Sequence, residues 1–139
     1  MIAGHARVGA DAAVARDRLA SRVARVAGAV FVLASLPKFL GYDWELDQFR
    51  RFGLPQPEVW VIAAGLLELA GGTLLMLRRL VVPAAVVLAG VMVVAITTSG
   101  IKEGDVIPSL TVAPVLLAAV VFLVVRGLRG LRTVSADRE

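Results

Sequence analysis

The sequence predicts an all-α integral membrane protein, a four-helix bundle with both termini in the cytoplasm. Of its 139 residues, 58% are hydrophobic and only 19% are charged, and the mean hydropathy is +0.82. Soluble domains contain about 45–50% apolar and about 25% charged residues, and a chain this small has too little interior to hide the excess. Long runs with at most one charge cover 59–77, 80–101 and 106–125. Each is close to the roughly 20 residues that a helix needs to cross a bilayer.

The first span is less obvious than the other three, because its uncharged part covers only residues 26–37. A membrane-crossing helix there must carry Arg25 and Lys38 near its ends, from which long basic side chains can reach the headgroups. The basic stretch before it is long for a signal peptide, and no small-residue cleavage site follows, so we expect the span to be retained. The predicted spans are 21–40, 58–78, 80–100 and 106–126.

Basic residues predict the orientation, because short flanks rich in lysine and arginine stay in the cytoplasm. Arginines are concentrated in the predicted tails, 1–20 and 127–139, and in the connection between the second and third spans. Six of the eleven acidic residues lie in the other two connections or, for Glu58, at the adjoining end of the second span. We therefore expect cytoplasmic tails on a protein of the cell membrane. The net charge of +4 then reflects contact with the lipid bilayer and not binding to nucleic acid.

Residues 41–57 form the one substantial connection outside the predicted spans. Tyr42, Asp43 and Trp44 begin a stretch in which aromatic and charged residues interleave, as they do in segments at headgroup level. Pro55 and Pro57 restrict the backbone just before the second span. We expect this segment to lie along the outer membrane surface as a lid over the bundle.

Glu68 lies at the middle of the second span, where an ionised side chain costs about 2.5–3.5 kcal/mol. Small residues three and four positions away on both sides predict close helix packing, so Glu68 should point into the bundle. In an antiparallel pair of spans Lys38 leans towards Glu68, whereas Arg25 is deeper and leans away. Lys38 is therefore the first choice of partner and Arg25 the alternative. Glu68 and its basic partner form either a structural link between helices or a ligand-binding site.

Several kinds of chemistry are excluded by composition. The chain has no cysteine, and its single histidine, His5, is in the N-terminal tail. Disulfides, thiolate nucleophiles, iron–sulfur clusters and a bis-histidine haem are therefore impossible from this chain alone. The sequence also has no histidine-dependent triad, phosphate-binding loop or cluster of metal ligands. We expect no metal and no covalently bound cofactor, and no catalytic residue can be assigned.

A set of short elements follows in order along residues 22–98. They are Arg25, Pro37-Lys38-Phe39 with Gly41-Tyr42-Asp43, Gly53-Leu54-Pro55-Gln56-Pro57, Glu68-Leu69-Ala70-Gly71-Gly72, and Pro83 with the small residues after it. Because these elements occur in this order, the sequence resembles the DoxX family of small four-helix bacterial membrane proteins.

The resemblance implies a membrane anchor or subunit that partners a soluble redox or detoxification enzyme, or another membrane subunit. The family takes its name from a subunit of a thiosulfate:quinone oxidoreductase. An alternative is therefore a quinone-interacting subunit in which Arg25, Lys38 and Glu68 contact the quinone head. No residue of this chain can store an electron, so a redox centre would come from quinone or a partner. A third hypothesis is a small permease or channel lined by Glu68. Four helices are few for a pore, so this function would require several copies of the chain to assemble as a homo-oligomer.

Overall fold

A computed structural model describes residues 2–100 and 112–136, and every regular element in these ranges is helical. The predicted all-α class is confirmed for them. The start of the fourth predicted span, 106–111, is outside the described residues. The elements are α1 (Ile2–Leu40), α2 (Tyr42–Arg51), α3 (Pro57–Met76), α4 (Val81–Ala95), a π-helical segment (Ile96–Gly100) and α5 (Ala113–Ala136).

Four stretches of helix in the described part are long and apolar enough to cross a membrane. They are Arg7–Leu40, Pro57–Met76, Val81–Thr98 and Ala113–Arg132. Large apolar side chains such as Leu33, Leu66 and Val87 are exposed on the outside of the helices, which suits lipid and not water. The chain is therefore a multi-pass membrane protein. The cytoplasmic location of its termini stays a prediction.

Two helices extend well beyond the spans expected from hydropathy. Helix α1 begins at Ile2, so residues assigned to an N-terminal tail form its first half. Its 39 residues make it about 58 Å long at 1.5 Å per residue, roughly twice the 30 Å hydrocarbon core. Helix α5 likewise continues to Ala136. The two extensions lie at the same end of the bundle, because Arg126 Nη2 on α5 is 2.9 Å from Asp17 Oδ1 on α1.

Helices α1 and α3 touch backbone to backbone at Gly28 and Gly72. A Cβ atom added to Gly72 would lie 2.7 Å from the carbonyl oxygen of Gly28. Backbones can approach this closely only where both positions lack a side chain. The neighbouring Gly71 faces α4 instead, where an added Cβ would lie 2.9 Å from Leu88 Cγ. The small residues near Glu68 therefore serve two interfaces. The core between the four spans contains Phe31, Leu75, Leu88 and Val120, all fully buried.

The connection from α3 to α4 is a tight turn that contains two arginines. Arg78 N–H donates to Leu75 O at 3.1 Å, and Arg79 N–H donates to Leu74 O at 2.9 Å. This is the paired hydrogen bonding of a Schellman motif, in which the residue after the C-cap has a positive φ and is usually glycine. Here that residue is Arg78, with φ 55°. The turn makes α3 and α4 an antiparallel hairpin.

Helix α2 occupies the segment that the sequence assigns to a surface lid. Asp43 and Glu45 lie in its first turn and Arg50 and Arg51 in its last, an arrangement that favours a helix through its dipole. Leu46 is buried, while Trp44 is exposed. The helix is thus amphipathic, as expected of a segment lying at a membrane surface.

Candidate functional site

The one ion pair with both partners largely buried in the described part joins α1 to α3. Lys38 Nζ lies 3.0 Å from Glu68 Oε2. The lysine side chain is 12% exposed and the glutamate side chain 6% exposed. Both residues belong to predicted membrane spans, so the pair places two opposite charges away from water.

Gly65 makes this contact possible. It lies one turn before Glu68 on α3, and a Cβ atom built on it would be 3.2 Å from Lys38 Cβ and 2.9 Å from Phe39 Cζ. A larger residue at position 65 would therefore push the end of α1 away from α3. The antiparallel course of the two helices adds to the effect, because side chains lean towards the start of their own helix and so towards each other.

Hydrogen bonding around the pair is incomplete. Lys38 Nζ donates to Ala34 O at 3.2 Å, one helical turn earlier. Glu68 Oε2 has a charge at ion-pair distance, but no group in the described residues donates to it with hydrogen-bond geometry. The contact is therefore mainly a charge–charge interaction. A buried ion pair whose oxygens are not all hydrogen-bonded adds little stability compared with apolar packing, yet losing one partner strands the other charge.

Arg25, the alternative partner of Glu68, lies elsewhere. It is 13 residues before Lys38 on α1, about 20 Å along the helix. Its side chain is exposed and lines an open cleft together with Arg22 and Arg78. Of the three residues that the sequence groups together, the structure brings Lys38 and Glu68 into contact and places Arg25 at the arginine-rich end of the bundle.

The candidate lid residues surround the opposite end of α1. Tyr42 is half-buried, whereas Asp43 and Trp44 in the same turn of α2 are exposed. Pro55 is exposed in the following loop, and Pro57 is the first residue of α3. Arg50, which sequence reasoning did not single out, bridges this region. Its guanidinium contacts Asp47 at 3.2 Å and Glu58 on α3 at 3.6 Å.

A second contact that sequence reasoning missed is the pair between Asp17 and Arg126. It joins the extensions of α1 and α5 across 109 positions of sequence. Asp17 is one of the few acidic residues in the basic N-terminal region, and this is the signal that could have drawn attention to it. No local pattern identifies which arginine it meets.

Comparison with known proteins gives one match. The family model described as DoxX matches residues 19–100, more than half of the chain, and this range includes Lys38, Glu68 and the whole of α2. No curated protein and no solved structure matches the chain.

Proposed function

The chain belongs to the DoxX family, and from this we propose that it is a membrane anchor for a soluble redox or detoxification enzyme. The enzyme would dock on the arginine-rich end of the bundle, where α1 and α5 extend past the membrane-crossing region. We place this end in the cytoplasm and the protein in the cell membrane, because the positive charge is concentrated there.

The observation that carries the proposal is the projecting pair of helices. A membrane span needs roughly 20 residues, but α1 has 39, and its first half carries the exposed side chains of Arg7 and Arg16. The same projecting half of α1 also exposes Val8 and Val14. Apolar side chains beside arginines on a projecting helix are typical of a protein–protein interface.

The contact between Asp17 and Arg126 makes this projection a suitable platform. Asp17 lies on α1 and Arg126 on α5, so their 2.9 Å contact cross-links two helices at the point where they leave the bundle. An exposed pair of this kind stabilises by less than about 1 kcal/mol, but two adjacent helices present a larger surface to a partner than one helix. Surface charges of one sign also speed the encounter with an acidic partner.

A quinone-interacting subunit is the second candidate. The observation in its favour is that Lys38 retains 12% exposure next to Phe39, whose ring is partly exposed on the outside of α1. A quinone head would have to approach from the lipid side, because Gly65 and Gly72 are in close contact with α1 and leave no room for a ring between the helices. Lys38 would then donate a hydrogen bond to a quinone oxygen, and quinone would supply the redox chemistry.

A permease or channel is less well supported by the packing. Glu68 would have to line a polar path, but its charge is already neutralised by Lys38 at 3.0 Å. The adjacent interface is closed by the backbone contact between Gly28 and Gly72. A transport path would therefore need an interface between several copies of the chain.

Purification from native membranes in a mild detergent tests the anchor proposal. We expect the wild-type protein to retain a stoichiometric soluble enzyme. Arg16→Glu, on the projecting helix, should lose it, because a reversed charge repels an acidic partner. Arg51→Glu is the matched control, since Arg51 is an exposed arginine at the other end of the bundle. Equal retention by both variants would contradict docking at this end, and quinone in place of an enzyme would favour the second candidate.

A further inference from the structure

An open cleft lies between α1 and the α3–α4 turn, and its residue nearest to Lys38 on α1, Arg25, is about 20 Å from it along the helix. Its volume is about 360 Å³, at the lower end of the range for small-ligand sites. Four arginines converge on it, three from one face of α1 and one from the turn. The lining residues are Val14, Asp17, Arg18, Ser21, Arg22, Arg25 and Arg78.

These four arginines have no carboxylate partner within 4.0 Å in the described part of the chain. The only acidic group in the cleft wall, Asp17, is paired with Arg126 on α5. The like charges therefore repel one another across the cleft, and an anion between them would remove that repulsion. Guanidinium groups bind phosphate oxygens well, because their donors match the spacing of two phosphate oxygens.

Arg78 reaches the cleft from a strained position in the α3–α4 turn. Its φ of 55° lies in the left-handed region, which costs a residue with a Cβ roughly 1–2 kcal/mol and costs glycine almost nothing. Glycine would thus form the same turn with less strain. Leu80 in the same turn also has a positive φ, of 48°, so the strain belongs to the turn, and Arg78 is the residue of the turn whose side chain lines the cleft.

The position of the cleft along the bundle identifies the ligand. Arg78 lies in the turn between two membrane spans, one ending at Met76 and the other beginning at Val81. The cleft is therefore at the level where lipid phosphates lie. We propose that this cleft binds the phosphate of an anionic phospholipid headgroup, held by Arg18, Arg22, Arg25 and Arg78. Basic pockets between spans at this level are a recurring form of lipid recognition.

This site shares Val14 with the proposed enzyme-docking surface, but the arginines of the two sites differ. Arg16 does not line the cleft, and Arg7 is 18 residues before Arg25, about 27 Å further along α1. A bound headgroup would fix the part of α1 that leaves the membrane, while the distal part of the helix stays free for a protein partner. Loss of lipid binding and loss of enzyme docking are therefore separable outcomes.

Lipid retention by the full-length protein tests the proposal. The protein is purified in a neutral detergent at 0.15 M salt, and bound phosphatidylglycerol is counted by native mass spectrometry. We expect one tightly bound lipid. Arg25→Gln and Arg78→Gln should each weaken binding by about tenfold or more, as loss of a charged hydrogen bond does. Arg79→Gln removes the same charge from a residue that does not line the cleft and should weaken binding clearly less than either of these substitutions.

Three further arms decide the result. Arg78→Gly removes the side chain while favouring the turn, so weakened lipid binding with unchanged helicity would support the site. Phosphatidylcholine, whose phosphate charge is compensated within its own headgroup, should bind much more weakly than phosphatidylglycerol. Equal loss in Arg78→Gln and Arg79→Gln would overturn the proposal, because it would mean general attraction to charge. Inorganic phosphate binding as tightly as the lipid would overturn the assignment to a headgroup.

Discussion

Lys38 Nζ and Glu68 Oε2 are 3.0 Å apart across the α1–α3 interface, and their side chains are only 12% and 6% exposed. The glutamate oxygen has no hydrogen-bond donor among the described residues, so the lysine charge is its main compensation. Each charge therefore depends on the other, and the pair fixes how the end of α1 sits against α3.

Removing one charge should destabilise the bundle strongly. Glu68→Gln keeps the shape of the side chain but leaves Lys38 as a buried, uncompensated charge, which costs about 3–5 kcal/mol. Glu58→Gln is the matched control on the same helix, because Glu58 is exposed and its contact with Arg50 is worth less than about 1 kcal/mol. Free energies of unfolding, measured by denaturing-detergent titration, compare the two. Similar losses in both variants would show that the buried pair has no special role.

The backbone contact of α1 with α3 gives a second prediction. Gly72→Ala places a methyl group 2.7 Å from Gly28 O, so the helices must separate, at a cost of about 1–3 kcal/mol. Gly90→Ala is the control, since nothing lies within 4 Å of a Cβ atom there, and alanine favours a helix over glycine by up to about 1 kcal/mol. Thermal unfolding in detergent should rank Gly90→Ala at or above wild type and Gly72→Ala below it. The reverse order would rule out the close contact.

Topology can be tested with single cysteines, because the chain has none of its own. Asp47→Cys on α2 and Arg129→Cys on α5 both replace exposed residues. The orientation predicted from the arginine-rich flanks requires a membrane-impermeant thiol reagent to label them from opposite sides of sealed vesicles. Val8→Cys should be labelled from the same side as Arg129→Cys. Labelling of Asp47→Cys and Arg129→Cys from one side would contradict the four-span arrangement.

Helix α2 should lie at the membrane surface. Its Trp44 is exposed in the isolated protein, while Leu46 is buried against the bundle. If the exposed face rests on headgroups, Trp44 in a Trp60→Phe background should fluoresce at shorter wavelength than in water. Lipids brominated near the headgroup should quench it more than lipids brominated deep in the chain. An emission spectrum of water-exposed tryptophan would instead indicate a helix held away from the membrane.

The fold was largely predictable because lipid imposes a simple rule: a span must be apolar over about 20 residues. The burial of Glu68 could be anticipated because glycines flank it, and the choice of Lys38 over Arg25 followed from the direction in which side chains lean. The extension of α1 to Ile2 was missed because hydropathy does not detect a charged helix. Its many alanines and arginines, which favour helix formation, were the available signal.

The contacts between distant parts of the chain could not be predicted in the same way. Asp17 meets Arg126 only because α1 and α5 leave the bundle side by side, and nothing near either residue encodes that geometry. The cleft could not be predicted either, because the position of the Arg78 side chain depends on the conformation of the α3–α4 turn. Sequence periodicity identifies which face of a helix is apolar, but the pairing of charged faces depends on how helices pack.

The double variant Glu68→Gln/Lys38→Met tests most directly whether the buried pair is structural or functional. We propose that this pair is a structural link and that function lies at the arginine-rich end of the bundle. The second substitution removes the stranded charge, so the double variant should recover most of the stability that Glu68→Gln loses. It should also retain the soluble enzyme in the same amount as wild type when purified from native membranes. A double variant that is as stable as wild type but has lost its protein partner, or a bound quinone, would contradict a purely structural role and place function at the buried pair.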